Sequence, residues 1–244
     1  MHNPLPPSSL PADSSPYRAQ AALVLFSGGQ DSTTCLLWAQ RRFAHVHAVA
    51  FYYGQRHSIE LTQAELIART LGVPLTRLAL TLPDLAHNSL TNAALALPTD
   101  AIPPLDSTEA APHAPSTFVP GRNLFFFTAA GALAYSLGIT HIVAGVCQTD
   151  YSGYPDCREP FVRAAEQALS LAMERPFTIH TPLMHLDKAQ TWLLARELGG
   201  LDLVVEHSHT CYAGDRITRH AWGYGCGQCA ACQLRARGYQ QAFN

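Results

Sequence analysis

Residues 27–32 read Ser-Gly-Gly-Gln-Asp-Ser, and Thr33 and Thr34 follow at once. Two glycines, a carboxylate and a run of hydroxyls make an anion site when an apolar strand precedes them and a helix starts behind them. Leu23 to Phe26 supplies such a strand, Ser32 to Thr34 suit a helix start, and Cys35 to Trp38 give that helix a buried side. The orphan N–H groups and the positive end of the helix dipole then face whatever rests on the turn. Gly28 and Gly29 let the backbone approach it closely. Phosphate is the expected anion. The lysine of the GxxxxGK[ST] loop is absent, as is a GxGxxG dinucleotide pattern after this strand. A plain glycine-rich turn is the alternative, but such turns rarely combine both serines with the aspartate.

A second group of reactive side chains lies in the last 40 residues of the sequence. Cys226, Cys229 and Cys232 form a C-x2-C-x2-C run, and Cys211 precedes it with 14 residues between. Four thiolates close a tetrahedral Zn2+ site with no open position, so the expected metal is structural, not hydrolytic. Gly223, Gly225 and Gly227 allow the tight backbone that this spacing needs. An iron–sulfur cluster is the chemical rival, although the x3-C-P continuation of the bacterial ferredoxin run is missing. Cys35 reads as a core residue, while Cys147 and Cys157 depend on their neighbours. The 12 histidines show no H-E-x-x-H pairing.

These groups need elements to position them. Val46 to Tyr53, Leu75 to Leu80, His141 to Val146 and Phe177 to His180 read as further strands. Between them, Ser58 to Leu71, Arg122 to Leu137, Glu159 to Glu174 and Asp187 to Leu198 carry apolar residues at helical spacing. The alternation predicts an α/β fold, a doubly wound parallel sheet whose ligands bind beyond the carboxyl ends of the strands. The expected organisation is a disordered proline-rich leader over 1–20, an α/β domain over 21–205, and a small C-terminal zinc-binding subdomain over 206–244 packed on it. The proline-rich stretch from Pro83 to Phe118 is too long for an ordinary connection and reads as a lid, a binding loop or a disordered segment. With 16 basic and 18 acidic side chains in 244 residues, no strong overall field favours nucleic acid or an anionic membrane. The longest apolar run, Leu124 to Leu137, is too short to span a bilayer. Seven cysteines without a secretion signal point to a reducing cytoplasm.

The loop resembles the pyrophosphate-binding loop of the ATP pyrophosphatases that adenylate their substrates. Taken with "FYYGQRH", "FVPGRN", "GVCQTDYSGYPDCR" and the four tail cysteines, it makes residues 21 to 240 similar to the 7-cyano-7-deazaguanine synthases of the queuosine pathway. That resemblance implies an adenine nucleotide alpha hydrolase-like fold, ATP, Mg2+ and Zn2+ as cofactors, and a homodimer acting on a deazaguanine carboxylate and ammonia. It implies an ATP site over Phe26, Ser27, Gly28, Gly29, Gln30, Asp31, Ser32, Thr33, Thr34, Cys35 and Leu36. Asp31 would place Mg2+, and Lys188 would neutralise charge as pyrophosphate leaves. Substrate contacts would come from Gln55, Arg56, Arg122, Asn123, Asp150, Tyr151, Tyr154, Asp156 and Arg158. The arginines can present planar forks to a carboxylate or phosphate. The aspartates can accept the N–H donors of a guanine-like edge, and a tyrosine can stack on the ring. Plainer readings stand beside these: a solvated lysine at a helix start, surface arginines, a simple turn at "DYSGYPD", and His57 as a neighbour of a helix cap. Outside this group, a tRNA-modifying relative of thiolation or lysidine type would need a basic track for RNA phosphates. A zinc-knuckle RNA-binding module would rest on Arg235, Arg237 and Tyr239 alone.

Overall fold

The computed structural model describes residues 15–54, 59–81, 118–148 and 154–244. Five parallel strands run β1 (Ala21–Leu25), β2 (His45–Tyr52), β3 (Leu75–Ala79), β4 (His141–Val143) and β5 (Thr178–His180), in the spatial order β3-β2-β1-β4-β5. Val24 of β1 pairs with Ala48 on one side and Val143 on the other. The chain thus winds outward from β1 in both directions. The crevice at such a switch point, beyond the carboxyl ends of β1 and β4, is where an open α/β sheet takes its ligand.

Helices cover both faces because alternate strand residues point to opposite sides. Ala22 and Val24 face α1 (Gln30–Arg42), α2 (Ile59–Thr70), α5 (Lys188–Glu197) and α6 (Leu201–His207). Leu23 faces the other way, into a core shared with Phe127, Ala130 and Ala134 of α3 (Arg122–Ser136) and with Val162, Ala165 and Leu169 of α4 (Glu159–Ala172). A short hairpin of β6 (Arg219–His220) and β7 (Gly223–Tyr224) and a last helix α7 (Ala230–Phe243) complete the described residues. Cys211, Trp222, Cys229 and Cys232 belong to the same apolar cluster as α1 and α2, so the tail shares that core.

Three expectations need adjustment. The first helix begins at Gln30 with Gly29 as its N-cap, not at Ser32 to Thr34, whose hydroxyls fold back onto the first turn. β4 stops at Val143, short of Val146. A Cβ on Gly145 would fall 3.2 Å from the Asp31 carbonyl carbon, so the chain must leave the sheet there to cross the start of α1. Helices α6 and α7 and the hairpin carry too little apolar periodicity to announce themselves. The leader up to residue 14 and most of the Pro83 to Phe118 stretch lie outside the described residues.

Candidate functional site

The turn after β1 is built to hold its shape without a ligand. Gly28 has φ +80° and is wedged against the start of α2: a Cβ there would lie 2.6 Å from the Glu60 carbonyl oxygen and 2.7 Å from the Ala64 nitrogen. No other residue type fits that place. Ser32 Oγ accepts from the Ser27 N–H at 3.2 Å, lies 3.1 Å from Ser27 Oγ, and can donate to the Gly29 carbonyl. Thr33 Oγ1 donates to the same carbonyl at 2.8 Å. Of the expected ATP-site residues, Phe26, Gln30, Ser32, Thr33, Thr34, Cys35 and Leu36 are buried and form the backing of the turn. Ser27 is exposed and Asp31 half-buried, so these two side chains face the crevice. Burial pushes the Cys35 thiol well up, with Asp31 and Cys147 adding to it, which leaves that thiol inert.

Lys188 is brought by α5, which packs on the same face of the sheet as α1. Asp187 caps α5 and accepts from the Gln190 N–H at 2.7 Å, while Gln190 Oε1 accepts from the Asp187 N–H. This reciprocal cap fixes Lys188 at the first helical position. Its Nζ reaches both oxygens of Asp31, at 2.9 and 3.1 Å. The structure therefore brings both expected catalytic residues together as one ion pair at the mouth of the turn.

The opposite rim is formed by the start of α3, where Gly121 takes φ +70° to turn the chain into the helix. Arg122 hydrogen-bonds Tyr53 and lies 5.9 Å from the Tyr154 ring. Burial works against its charge, but Tyr53, Tyr154 and Asp156 together hold its pKa above the ordinary arginine value. Asp156 Oδ2 accepts from the Asn123 N–H at 3.1 Å, and Asn123 Nδ2 donates to the Asp156 carbonyl at 2.9 Å. Arg122, Asn123, Tyr154 and Asp156 thus form one corner, in which one Asp156 oxygen is already engaged with the helix backbone. Arg158, exposed at the N-cap of α4, stands just outside it. Gln55, Arg56, His57, Asp150 and Tyr151 lie outside the described residues.

Sequence reasoning missed Glu60 and His209 around the turn and offered Arg235 only as an RNA contact, which its burial excludes. Glu60, in the first turn of α2, is pushed up to about 7 by burial, with Arg122 opposing and Cys211 adding. His209 is fully buried and donates its backbone N–H to the Gly28 carbonyl at 2.9 Å, with its ring against the Cys211 backbone. Arg235 is 1 % exposed. Glu60 looks like any acid at a helix start, and only the three-residue step from Cys232 to Arg235 hinted that they share a face.

The four tail cysteines converge as expected. Their Sγ atoms all lie within 4.8 Å of one another, with Cys226 and Cys232 at 4.0 Å. Zinc–sulfur bonds of about 2.3 Å in a tetrahedron place sulfurs roughly 3.8 Å apart, so the donor set fits the ion. Backbone N–H groups of Cys226, Gln228 and Cys229 point at cluster sulfurs at 3.4 Å, as suits thiolate acceptors. Cys211 is lowered by hydrogen bonds from the Cys229 and Cys232 thiols, while the same contacts raise those two partners. Gly225 lets the strand pass, since a Cβ there would fall 2.7 Å from Cys232 Sγ.

The family model described as queuosine biosynthesis protein QueC matches residues 21–243. A 7-cyano-7-deazaguanine synthase of Nitrobacter hamburgensis is 51 % identical over 236 residues, covering 91 % of this chain and 94 % of that protein. Another, from a Bradyrhizobium species, is 54 % identical over 235 residues, covering 90 % and 93 %. Among solved structures, a 4-thiouridine synthetase in an RNA complex with bound ATP aligns at a TM-score of 0.45 and 17 % identity, over 91 % of this chain and 50 % of that one.

Proposed function

Because the chain belongs to the family of queuosine biosynthesis protein QueC, we propose that it is an ATP-dependent carbon–nitrogen ligase that turns 7-carboxy-7-deazaguanine and ammonia into 7-cyano-7-deazaguanine. The observation that carries this reading is the meeting of Asp31 and Lys188 at the mouth of the Ser27–Ser32 turn, across the crevice from the Arg122–Asp156 corner. One rim offers charge for a triphosphate, and the other offers a cation and acceptors for a planar acidic heterocycle.

The substrate carboxylate attacks the α-phosphorus of ATP, and pyrophosphate leaves over the turn. The backbone N–H groups around Gly28 and Gly29 and the Lys188 ammonium hold the charge that develops there. Asp31 suits a Mg2+ bound to the phosphates, which would neutralise that charge further. Ammonia then attacks the carbonyl carbon; AMP leaves, a proton is lost, and a primary amide results. Acid and amide have nearly the same planar shape, so the same pocket can present the amide oxygen to a second ATP. That oxygen displaces a second pyrophosphate while the nitrogen gives up one proton, and the resulting O-adenylated imidate loses AMP and its remaining N–H proton to give the nitrile. Cys211, Cys226, Cys229 and Cys232 would hold Zn2+ as a folding element over 206–244, away from the reacting atoms. In this reading the enzyme works as a homodimer in the cytoplasm, without nucleic acid. Static light scattering checks the pairing.

The test is incubation of the synthetic amide with ATP and Mg2+ in ammonia-free buffer, with products read by mass spectrometry. The expected products are nitrile, AMP and pyrophosphate. An inert amide, a strict need for ammonia, or ADP with phosphate would show that repeated adenylation is wrong.

A further inference from the structure

The phosphate turn is clamped from two sides, and the second clamp is the metal-bearing tail. On one side Gly28 abuts α2. On the other, the segment 208–211 crosses the turn: the His209 N–H holds the Gly28 carbonyl, and the Thr210 methyl lies 3.4 Å from where a Gly29 Cβ would stand. The next residue along is Cys211, one of the four converging sulfurs.

The position of that segment is set by Arg235. Its Nε donates to the Trp222 carbonyl at 3.0 Å, Nη2 to the Val204 carbonyl at 3.0 Å, and Nη1 to Thr210 Oγ1 at 3.4 Å. Its guanidinium lies 5.3 Å from the Trp192 ring and 5.9 Å from the Trp222 ring. One buried side chain thereby ties the end of α6, the hairpin and the segment over the turn. Arg235 stands three residues after Cys232 on α7, and Cys229 is the N-cap of that helix. Ligation of Cys229 and Cys232 therefore fixes where α7 starts and which way it is rotated, and with it where the guanidinium fork points. A second contact runs in parallel: Gly238 of α7 lies against Lys188, with a Cβ there only 2.6 Å from Lys188 Cγ, and Lys188 grips Asp31 on the turn.

We propose that Arg235 is a positioning residue for ATP, transmitting the geometry imposed by the four-cysteine metal site, through Thr210 and the His209 amide, to the phosphate turn. The inference rests on the reading of Ser27–Ser32 as the ATP phosphate site. It goes beyond a metal that merely stabilises the tail.

The experiment compares wild type, Arg235→Met and Thr210→Val, each checked for fold by circular dichroism and for zinc by metal analysis. Thr210→Val is close to isosteric and removes only the hydroxyl, so it decides the matter where Arg235→Met fails to fold. The expected result is an ATP Kd raised about 10-fold in Arg235→Met and about 3-fold in Thr210→Val, with zinc content and kcat at saturating ATP nearly unchanged. Hydrogen exchange in peptides covering 23–37 should also quicken in both variants and in chelator-treated wild type that keeps its helical signal. Unchanged ATP affinity together with unchanged exchange over 23–37, in folded variants or after chelation, overturns the proposal. Quickened exchange over 23–37 in the variants, alongside a wild-type protein that binds no ATP, would support the coupling while rejecting the phosphate-site reading, so the two failures are separable.

Discussion

At Asp31 a carboxylate meets the Lys188 ammonium through both oxygens, at the place where a phosphate would arrive. Asp31→Asn keeps the shape of the turn and removes its negative charge. Turnover should fall at least about 100-fold, since the Mg2+ that Asp31 would hold, and its charge stabilisation at the leaving group, are lost. The melting transition should shift by no more than about 1–2 kcal/mol, because the pair is only partly buried. Steady-state AMP release and a thermal melt check both; unchanged activity with unchanged ATP affinity would sink the assignment. Glu60 makes a separate, pH-dependent prediction. Its folded pKa is pushed up to about 7 from 4.5, so between these values the native state keeps a proton that the unfolded chain releases. Stability from this group is therefore full below pH 4.5 and declines as pH rises through 7. Glu60→Gln should match wild type near pH 4.5 and exceed it at pH 8 by on the order of 1–2 kcal/mol, allowing for the opposing Arg122 charge and some exposure. Urea titrations at the two pH values decide, and a gain independent of pH would count against the buried-carboxylate account.

Among the elements, the parallel strands and the helices between them were legible because each buries a long apolar face with a clear period. The Arg122 to Leu137 and Asp187 to Leu198 expectations match α3 and α5 to within a residue or so. Helix α7 was not legible: Arg235 interrupts its buried face, and Gly238 weakens its helix propensity. Its place comes from the convergence of Cys229 and Cys232 with the distant Cys211 and from packing on α5, a tertiary arrangement that no local pattern records. The candidate site divides the same way. The turn could be read because its residues are consecutive, whereas Glu60, His209 and Arg235 reach it only through the tertiary fold. Gly238→Ala measures what α7 gives up for that packing. Alanine is favoured over glycine in a helix by about 1 kcal/mol, but the added Cβ would stand 2.8 Å from Lys188 Cβ and 2.9 Å from its carbonyl carbon. Overpacking of this kind costs about 1–3 kcal/mol, so the net expectation is a lower unfolding midpoint and weaker ATP binding. A raised midpoint would mean that α5 and α7 separate easily.

For the whole molecule, the four-cysteine cluster is where folding and composition meet. Purified protein should carry about one zinc per chain, and Cys229→Ser should lower the melting temperature or solubility, because closing the site contributes folding free energy. Metal analysis showing iron with a charge-transfer absorption would reject zinc in favour of a cluster. No described helix is long and apolar enough to cross a membrane, and the near balance of charge gives no overall attraction for RNA. The clamp on the phosphate turn has a further consequence in time. Gly28 and its partner His209 are about 180 positions apart, and a ribosome adding roughly 5–20 residues per second takes some 10–40 s to travel that far. Throughout that interval the nascent turn has emerged without the segment that holds it, so on the proposed coupling ATP binding is expected only after the cysteine-bearing tail has been released.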